Sequence, residues 1–231
     1  MAAPGLALTQ KNPGGTLYRA NVAWRKRGSR AAGRGVVCRV GRLLCGRMIL
    51  MRHGQSEFNL HFSVSRRDPG VVDAPLTELG RTQAVEAAQR LRGERIRRII
   101  TSPYTRALQT AAPIAAALDV PVFINPIVRE RYKFACDIGT PRTELERAWP
   151  RHDFSTVDEI WWPPIEEPEA FIMDRARLVR AEMAALPDWA DTLIISHWGF
   201  IMSMTGQSVM NGQSLRCDPT IPGPTEVSWR V

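Results

Sequence analysis

The 231-residue chain has few cysteines and no long apolar run, and each shortage excludes a class of protein. The spacing of its cysteines supports neither a zinc site nor a small disulfide scaffold, because no C-x-x-C pair occurs among Cys38, Cys45, Cys136 and Cys217. No segment approaches the roughly 18 consecutive apolar residues that a membrane span needs. The N-terminus also lacks the charged, apolar and small-residue order of a signal peptide. We therefore expect reduced, non-catalytic thiols and a cytoplasmic location.

Acidic residues are absent from the first 47 positions, which hold ten lysines and arginines. The full chain has 31 basic and 23 acidic residues, so residues 48–231 carry 21 basic residues (31 less 10) against 23 acidic ones. The formal net charge of +8 therefore arises from the N-terminal segment alone. This distribution predicts no nucleic-acid partner and no membrane partner for residues 48–231.

Residues 1–47 admit three interpretations. An arginine-rich, acid-poor segment is typical of an organelle transit peptide, although such peptides are also serine-rich and this one contains only Ser29. It also fits a disordered arm that binds RNA or a membrane surface. In the third interpretation Met48 is the true start, and we favour it because the first predicted strand begins there. We predict a basic, disordered tail over 1–47 and one domain over 48–231.

Short apolar segments alternate with longer helical ones after residue 47, which is typical of α/β layer folds. The predicted strands are 48–52, 96–102, 121–124, 191–196 and a last one within 225–231. The predicted helices are 77–92 with Thr77 as N-cap, one with Ser102 as N-cap and Pro103 at its first position, 170–186, and one that opens after His197.

Residues 131–167 form the longest stretch without clear helical or strand periodicity, so we predict a cap region there. Its Trp161 and Trp162 are either a substrate lid or a buried anchor of the cap. Two of its acidic residues, Glu144 and Glu146, compete with Glu130 as the carboxylate that reaches the site described next.

Charged and imidazole side chains stand where the predicted strands end. Arg52 and His53 end the first strand, and Arg106 lies in the first turn of the helix after the second. Glu130 follows the third strand and His197 follows the fourth. Ligands of open α/β sheets bind at the carboxyl ends of the strands, so we expect these five groups to converge. Two guanidinium groups with imidazole donors are suited to a phosphoryl group.

Arg106 lies opposite the apolar stripe of its own helix, so we expect it to bind a ligand rather than to pack. Structural roles are assigned to the other histidines, His61 and His152, because neither lies in a motif. The remaining basic run is predicted to be a solvated charged face formed by Arg95, Arg97 and Arg98.

Several segments resemble, in the same order along the chain, the histidine phosphatase superfamily, that is, the phosphoglycerate mutase-like family. They are LMRHGQSEFN, PLTELGRTQA, TSPYTRALQTA, the glutamate of IVRER, and IISHWGF. An R-H-G triplet alone is a weak signal, but together with S-P-x-x-R-A-x-Q-T-A and S-H-x-G it is highly specific. The resemblance covers essentially all of 48–231. It implies a three-layer α/β/α sandwich with a mostly parallel central sheet.

The resemblance also implies roles for the converging residues. His53 is the nucleophile and forms a phosphohistidine. The phosphoryl oxygens are held by Arg52, Arg106 and His197. Glu130 protonates the leaving alkoxide and then activates water. No metal and no other cofactor are expected, because the arginines supply the positive charge.

Three further residues are expected at the substrate. If a helix begins after Gly54, then Ser56 and Asn59 lie on the face of His53, and in the family these positions contact phosphate. Alternatively, Ser56 and Asn59 simply cap that short helix. Gly199, close behind the second histidine, is also predicted to bind substrate.

Hydrolysis and mutase chemistry share such a site and differ in the group that receives the phosphoryl. The glycolytic mutases follow the acid glutamate with Tyr-Gly and a lysine-bearing stretch, whereas RYKFACDIGTP follows here, with Lys133 as the only lysine of the cap. The chain after Met48 is also shorter than those mutases. We predict a phosphomonoester hydrolase acting on a small phosphorylated metabolite, with a mutase as the alternative. A non-catalytic phospholigand-binding module is a third hypothesis, which the presence of His53 and Glu130 disfavours.

Overall fold

The computed structural model describes residues 9–11, 17–19 and 47–229 of the chain. In the N-terminal segment, strands β1 (Thr9–Lys11) and β2 (Leu17–Arg19) pair with each other in antiparallel fashion. The prediction of a disordered tail, and the choice among its three interpretations, otherwise fall on residues outside the described ranges.

The domain that follows alternates strands and helices as the sequence pattern predicts. Its strands are β3 (Met48–Arg52), β4 (Arg98–Thr101), β5 (Val122–Ile124), β6 (Thr192–Ser196) and β7 (Ser214–Cys217). Its helices are α1 (Glu57–Ser65), α2 (Glu78–Leu91), α3 (Thr105–Leu118), α4 (Arg142–Ala148), α5 (Glu169–Ala184) and α6 (Trp198–Thr205). Short 3-10 turns occupy Pro126–Val128, Ala135–Asp137 and Trp189–Asp191. Within the described ranges, no helix combines the length and the apolar character that crossing a bilayer requires.

The strands of the domain form one sheet in the order β5-β4-β6-β3-β7, parallel except for β7, which pairs antiparallel with β3. Along β3, Met48 and Leu50 pack in the core that includes α5 and α6. Ile49 and Met51 pack in the core that includes α2 and α3. Neighbouring side chains of a strand point to opposite faces, so helices cover both faces of the sheet. The predicted three-layer α/β/α sandwich is confirmed.

The last strand of the sheet lies earlier in the chain than predicted. Residues 225–229 form no strand, and residues 230–231 lie outside the described range. Strand β7 instead pairs with the outer edge of β3, and the side chains of Ser214 and Arg216 are exposed. The prediction was wrong because an edge strand can carry polar side chains and need not contain an apolar run.

Helix α3 begins at Thr105, later than predicted. Ser102 is not its N-cap, because the Ser102 hydroxyl is hydrogen-bonded to the ring of His197 instead. The cap comes from a distant loop: Oδ1 of Asp73 accepts the main-chain N–H of Thr105 at 2.9 Å. The local pattern therefore identified the helix but not the residue that caps it.

Arg98 does not belong to the solvated face predicted for it. Its side chain is 8% exposed and donates to the Asp188 carboxylate at 2.7 Å. Arg95 and Arg97 do remain exposed, and each contacts the carboxylate of Asp191. The prediction was wrong for Arg98 because this residue lies in β4, a central strand whose two faces are both covered.

The cap region, residues 131–167, packs against the turn that precedes α3. The Trp161 ring lies edge-on to the Tyr104 ring at 4.6 Å between centroids, and its Nε1 donates to the Thr140 carbonyl oxygen at 2.9 Å. Only 2% of Trp161 is exposed. Because a buried, hydrogen-bonded indole is held in place, these contacts favour the anchor over the lid for Trp161.

Candidate active site

The carboxyl ends of β3 and β6 lie side by side and bring the two histidines together. The register pairs Arg52 with Ser196, so His53 and His197 are the next residues on both strands. Their ring centroids are 5.1 Å apart, and both side chains are buried. The main-chain N–H of His53 donates to the Ser196 carbonyl oxygen at 3.0 Å, which extends the pairing beyond the strand. The structure thus places both predicted histidines in one site.

The ring of His53 is held in a single tautomer. Its Nδ1 lies 2.6 Å from the carbonyl oxygen of Gly54. A carbonyl can only accept, so Nδ1 carries the proton and Nε2 keeps its lone pair. Burial, with the nearby Arg106 and Arg52 cations, holds the pKa of His53 well below its ordinary value of 6.5. His53 is therefore neutral at pH 7, with Nε2 free to act as a nucleophile.

The glycine of the R-H-G motif is required by a close approach of α2. Thr77 caps α2 as predicted, its hydroxyl accepting the main-chain N–H of Gly80 at 3.0 Å. A Cβ on Gly54 would lie 2.4 Å from the carbonyl oxygen of Gly80. The N–H of Gly54 also donates to the hydroxyl of Thr110 on α3 at 3.1 Å. Two helices therefore fix the backbone next to His53, and only glycine fits between them.

Ser56 and Asn59 form the capping box of α1, which begins at Glu57. Oδ1 of Asn59 accepts from the main-chain N–H and from the hydroxyl of Ser56. The same oxygen accepts from the amide of Asn211, which also donates to the main-chain oxygen of His53. The capping alternative describes this structure, and a contact of Ser56 or Asn59 with phosphate stays a prediction. Asn211 was missed because it lies in a loop without a motif.

Arg52 combines a held side chain with an unsatisfied donor. One terminal nitrogen donates to the carbonyl oxygen of Val209 at 3.0 Å, whereas Nε is buried and has no hydrogen-bond partner among the described residues. Burial lowers the pKa of Arg52 to about 10, with the Glu130 charge acting in the opposite direction. Arg52 therefore remains a cation at pH 7. A buried N–H without a partner is suited to an anionic oxygen.

Arg106 is buried against the cap, with 2% of the residue exposed. One terminal nitrogen donates to the carbonyl oxygen of Cys136 at 2.7 Å and the other to Oδ1 of Asp137 at 3.1 Å. Its guanidinium carbon lies 4.2 Å from the centre of the Tyr104 ring. Burial raises the pKa of Asp137 to about 6, opposed by the Arg106 cation and assisted by the Glu130 charge. Asp137 was missed because nothing in the cap sequence indicates which carboxylate faces Arg106.

Asp73 ties the start of α3 to the cap. Its carboxylate accepts from the main-chain N–H and the hydroxyl of Thr105, at 2.9 and 2.7 Å, and from the hydroxyl of Thr140 at 2.6 Å. Its backbone has a φ of 40°, a left-handed conformation that aspartate tolerates better than most residues. Because Arg106 directly follows Thr105, this cap also sets the direction in which the first turn of α3 presents Arg106.

Glu130 is held by two main-chain donors. Its Oε1 accepts the N–H of Arg131 at 2.8 Å, and its Oε2 accepts the N–H of Gly199 at 3.0 Å. A Cβ on Gly199 would lie 2.4 Å from Oε1 of Glu130. Gly199 therefore contacts the carboxylate, which the sequence did not indicate, and its predicted contact with substrate stays a prediction.

The competing polar residues lie elsewhere. Glu144 is exposed, and Glu146 is engaged by Arg142 at 2.7 Å. His61 is exposed on α1, and His152 stacks near the Trp149 ring at 5.8 Å between centroids. None of these contacts joins the histidine pair, and the structural roles of His61 and His152 stay predictions. Glu130 remains the carboxylate that is bonded to the helix following His197.

His197 is completely buried, and its two ring nitrogens differ. Nε2 lies 2.7 Å from the hydroxyl oxygen of Ser102, whereas Nδ1 has no partner among the described residues. The Tyr104 ring contacts it edge-on at 5.1 Å between centroids. Burial, the Arg106 cation and then the His53 ring hold the pKa of His197 well below 6.5. His197 is neutral at pH 7.

A buried ion cluster supports the segment that carries Glu130. The carboxylate of Glu167 contacts Arg175 at 2.7 Å and Arg129 at 3.0 Å. Arg175 also donates to the main-chain oxygens of Ile127, Arg129 and Glu130. Sequence reasoning missed this cluster, because Glu167 was assigned to the cap and Arg175 to a helix with no motif. Within the described residues, no group of three or more His, Cys, Asp or Glu side chains has a metal-binding arrangement.

Comparisons with known proteins agree with the motifs. The family model of the histidine phosphatase superfamily (branch 1) matches residues 48–224. A glucosyl-3-phosphoglycerate phosphatase of Mycolicibacterium vanbaalenii is 29% identical over 191 residues, which cover 79% of this chain and 82% of that protein. A Proteus mirabilis protein named "Probable phosphoglycerate mutase GpmB" is 33% identical over 153 residues, which cover 64% of this chain and 67% of that protein.

A solved structure agrees with the fold. An Escherichia coli K-12 structure described as "a putative alpha-ribazole-5'-P phosphatase" matches 73% of this chain and 88% of its own chain, with a TM-score of 0.51. Its sequence is 21% identical to this one, so the likeness concerns the architecture only.

Proposed function

The chain belongs to the histidine phosphatase superfamily, and from that premise we propose that it is a metal-independent phosphomonoester hydrolase that acts through a phosphohistidine. The observation that carries the proposal is the tautomer of His53. Its Nδ1 is committed to the Gly54 carbonyl, so the neutral ring offers the Nε2 lone pair to phosphorus. The neighbouring residues Arg52, Arg106 and His197 supply the donors and the positive charge that phosphoryl transfer needs.

In the proposed first step, Nε2 of His53 attacks phosphorus while the bond from phosphorus to the ester oxygen breaks. The unsatisfied Nε–H of Arg52 and the unpartnered Nδ1 of His197 bind phosphoryl oxygens, and Arg106 adds positive charge. Glu130 gives a proton to the leaving alkoxide. In the second step Glu130 takes a proton from water, the water oxygen attacks phosphorus, and the nitrogen–phosphorus bond breaks to regenerate His53.

Two features support hydrolysis over mutase chemistry. The ammonium of Lys133 is exposed and lies 5.8 Å from the centre of the Phe134 ring, so the one lysine of the cap is placed on an aromatic face. A relative that aligns over most of the chain is named as a phosphatase. A mutase is the second candidate, because another relative is named as a probable phosphoglycerate mutase. Both names contain phosphoglycerate, so phosphorylated glycerates and their glucosyl derivatives are the first substrates to test.

We further propose domain boundaries and a cellular location for the enzyme. Residues 48–231 form the catalytic domain, with 131–167 as its cap, and the basic segment over 1–47 takes no part in the chemistry. We place the enzyme in the cytoplasm, acting on a small phosphorylated metabolite without a nucleic-acid or membrane partner. The near-neutral charge of residues 48–231 supports this part of the proposal.

The proposal is tested on the purified full chain in EDTA. Wild type, His53→Ala and the matched control His61→Ala are assayed with p-nitrophenyl phosphate and a panel of phosphorylated metabolites. Free phosphate and the exchange between 3- and 2-phosphoglycerate are both measured. We expect EDTA-resistant phosphate release by wild type and His61→Ala, and none by His53→Ala. Exchange without phosphate release would favour the mutase, and a folded wild type that does neither would favour a binding module.

A further inference from the structure

The starting observation is the asymmetry of the His197 ring, which the proposed function does not explain. Nε2 is 2.7 Å from the hydroxyl oxygen of Ser102, and Nδ1 is buried without a partner in the part of the chain that the structure describes. A neutral imidazole carries one proton, on one of the two nitrogens. Which nitrogen carries it decides whether His197 offers the site a donor or a lone pair.

The surroundings of Ser102 assign that proton. The main-chain N–H of Tyr104 donates to the Ser102 hydroxyl oxygen at 3.3 Å, so this oxygen already acts as an acceptor. If Nε2 carried the proton, it would donate to the same oxygen, and the hydroxyl proton would have no acceptor among the described residues. Buried donors are rarely left unpaired in native structures. The hydroxyl therefore donates to Nε2, and the ring proton resides on Nδ1.

We propose that Ser102 is a positioning residue, which holds His197 as the neutral Nδ1–H tautomer so that Nδ1 donates to a phosphoryl oxygen. This inference rests on the proposed function. A neutral donor contributes a hydrogen bond to the transition state without adding a third cation beside Arg52 and Arg106. The low pKa of His197, caused first by burial and then by the Arg106 charge, agrees with a neutral ring at pH 7.

The same turn links His197 to the guanidinium side of the site. The Tyr104 ring contacts the His197 ring edge-on at 5.1 Å, and the Tyr104 hydroxyl donates to the main-chain oxygen of Asp137 at 2.5 Å. The Asp137 carboxylate in turn pairs with Arg106. The turn from Ser102 to Tyr104 therefore sets the tautomer and orientation of His197. It also contacts Asp137, the ion-pair partner of Arg106. This explains why Ser102 does not cap α3.

The tautomer can be measured without turnover. The full chain is labelled with ¹⁵N-histidine, and long-range ¹H–¹⁵N spectra are recorded at pH 7, with His197→Gln used to assign the resonance among the four histidines. We expect a protonated Nδ1 and an unprotonated Nε2 for His197, and a shift of the Nδ1 resonance when inorganic phosphate is added. In Ser102→Ala the ring should change to a mixture of tautomers or to the Nε2–H form. A wild-type His197 with a protonated Nε2 would overturn the inference.

Kinetics provide the second measurement. We expect Ser102→Ala to lower kcat on the best substrate on the order of 10- to 100-fold, by analogy with the loss seen when the hydrogen-bond partner of a metal-ligating histidine is removed. Ser102→Thr, which keeps the hydroxyl, should restore both kcat and the wild-type tautomer. The matched control is Ser203→Ala, which removes a buried hydroxyl whose one hydrogen bond among the described residues is to the Gly199 carbonyl of its own helix. It should retain wild-type kcat and tautomer.

The outcomes separate this inference from the proposed function. If wild type shows the Nδ1–H tautomer but releases no phosphate, the proposed function fails while the role of Ser102 in setting the tautomer stands. If wild type is active and folded Ser102→Ala keeps both its tautomer and its kcat, the role of Ser102 fails while the proposed function stands. Thermal unfolding of each variant confirms that the comparison is made between folded proteins.

Discussion

Two buried carboxylates, each paired with arginine, have pKa values that are shifted in opposite directions. Glu167 contacts two guanidinium groups, and although burial opposes ionisation, Arg175 and Arg129 hold the pKa of Glu167 below its ordinary value of 4.5. Asp137 contacts one guanidinium, and burial raises its pKa to about 6 in spite of Arg106. Two cations outweigh the desolvation of Glu167, whereas the single Arg106 cation does not outweigh the desolvation of Asp137 together with the nearby Glu130 charge.

The same difference distinguishes the buried ion cluster that supports Glu130, called the scaffold below, from the candidate active site. In the cluster of Glu167, Arg129 and Arg175, a carboxylate lies between two cations, and Arg175 also bonds main-chain oxygens around Glu130. In the site, by contrast, no carboxylate of the described residues forms an ion pair with Arg52, whose terminal nitrogen donates to the neutral carbonyl oxygen of Val209. Scaffold charges are thus compensated within the protein, whereas the proposed function leaves the Arg52 charge for the phosphoryl group of the substrate. We therefore expect scaffold substitutions to reduce stability and site substitutions to reduce activity.

The largest effect is expected from His53→Ala, which affects the site alone. We expect phosphate release to fall by at least about 10³-fold, because the nucleophile is lost. The midpoint of thermal unfolding should fall by less than in Glu167→Gln, since the buried ring that is removed is neutral and no charge is left unpaired. Activity assays and calorimetry on the same preparation check both parts. A variant that retains a tenth of wild-type activity would exclude His53 as the nucleophile.

The next effect is expected from Glu167→Gln, which affects the scaffold. Removing the anion leaves Arg129 and Arg175 buried, and breaking a buried pair in this way costs about 3–5 kcal/mol. Because the folded pKa of Glu167 lies below the unfolded value, its contribution is present above pH 4.5 and is lost as the pH falls through the folded pKa. Urea unfolding at pH 7 and pH 3.5 should therefore show a smaller difference at the lower pH. Glu166→Gln, at an exposed pair, is the matched control, and equal losses in both variants would contradict the distinction.

Gly199→Ala tests the link between the scaffold and the site, because Gly199 contacts Glu130, whose segment the scaffold supports. Its added Cβ would lie 2.4 Å from Oε1 of Glu130, so the carboxylate has to move. A displacement of about 1 Å in an active site can reduce the rate about 100-fold, and we expect a decrease in kcat of about 10- to 100-fold. Gly93→Ala is the matched control, because nothing lies within 4 Å of the position that a Cβ would take there. Unchanged kcat in Gly199→Ala would show that the position of Glu130 does not limit the reaction.

The smallest effect is expected from Asp137→Asn, in the pH dependence of stability. The folded pKa of about 6 exceeds the ordinary 3.8, so the folded protein binds more protons than the unfolded chain between these values. Stability should therefore fall as the pH rises through that window, on the order of 1–3 kcal/mol, since one pKa unit corresponds to about 1.4 kcal/mol. Asp137→Asn should remove this decrease, which unfolding at pH 4, 5, 6 and 7 would reveal. Asp119→Asn, at an exposed helix end, should keep it.

Much of the fold could be predicted because its signals are local. Strand β3 is a buried apolar run that ends in Arg52 and His53, and helix α2 carries its own N-cap at Thr77. Strand β7 could not be predicted in the same way. It acquires its place by pairing with β3, and two of its four side chains are exposed.

The residues of the candidate site likewise divide into those that local patterns predict and those that they do not. His53 and His197 follow apolar strands, and parallel strands present their carboxyl ends at one edge, so their proximity follows from the pattern. Asp137 and Ser102 contribute through contacts with residues far along the chain. No periodicity indicates that Asp137 meets Arg106 or that Ser102 meets His197.

The sequence by itself determined the family, the layered architecture and the residues that converge at the strand ends, because motifs and hydrophobic periodicity act over a few neighbouring residues. Only the tertiary structure decided the protonation and orientation of those residues. The tautomer of His53, the anchor on Glu130 and the unequal compensation of Glu167 and Asp137 all depend on burial and on partners brought close by folding. Burial and distance set electrostatic energies, and neither can be read from spacing along the chain.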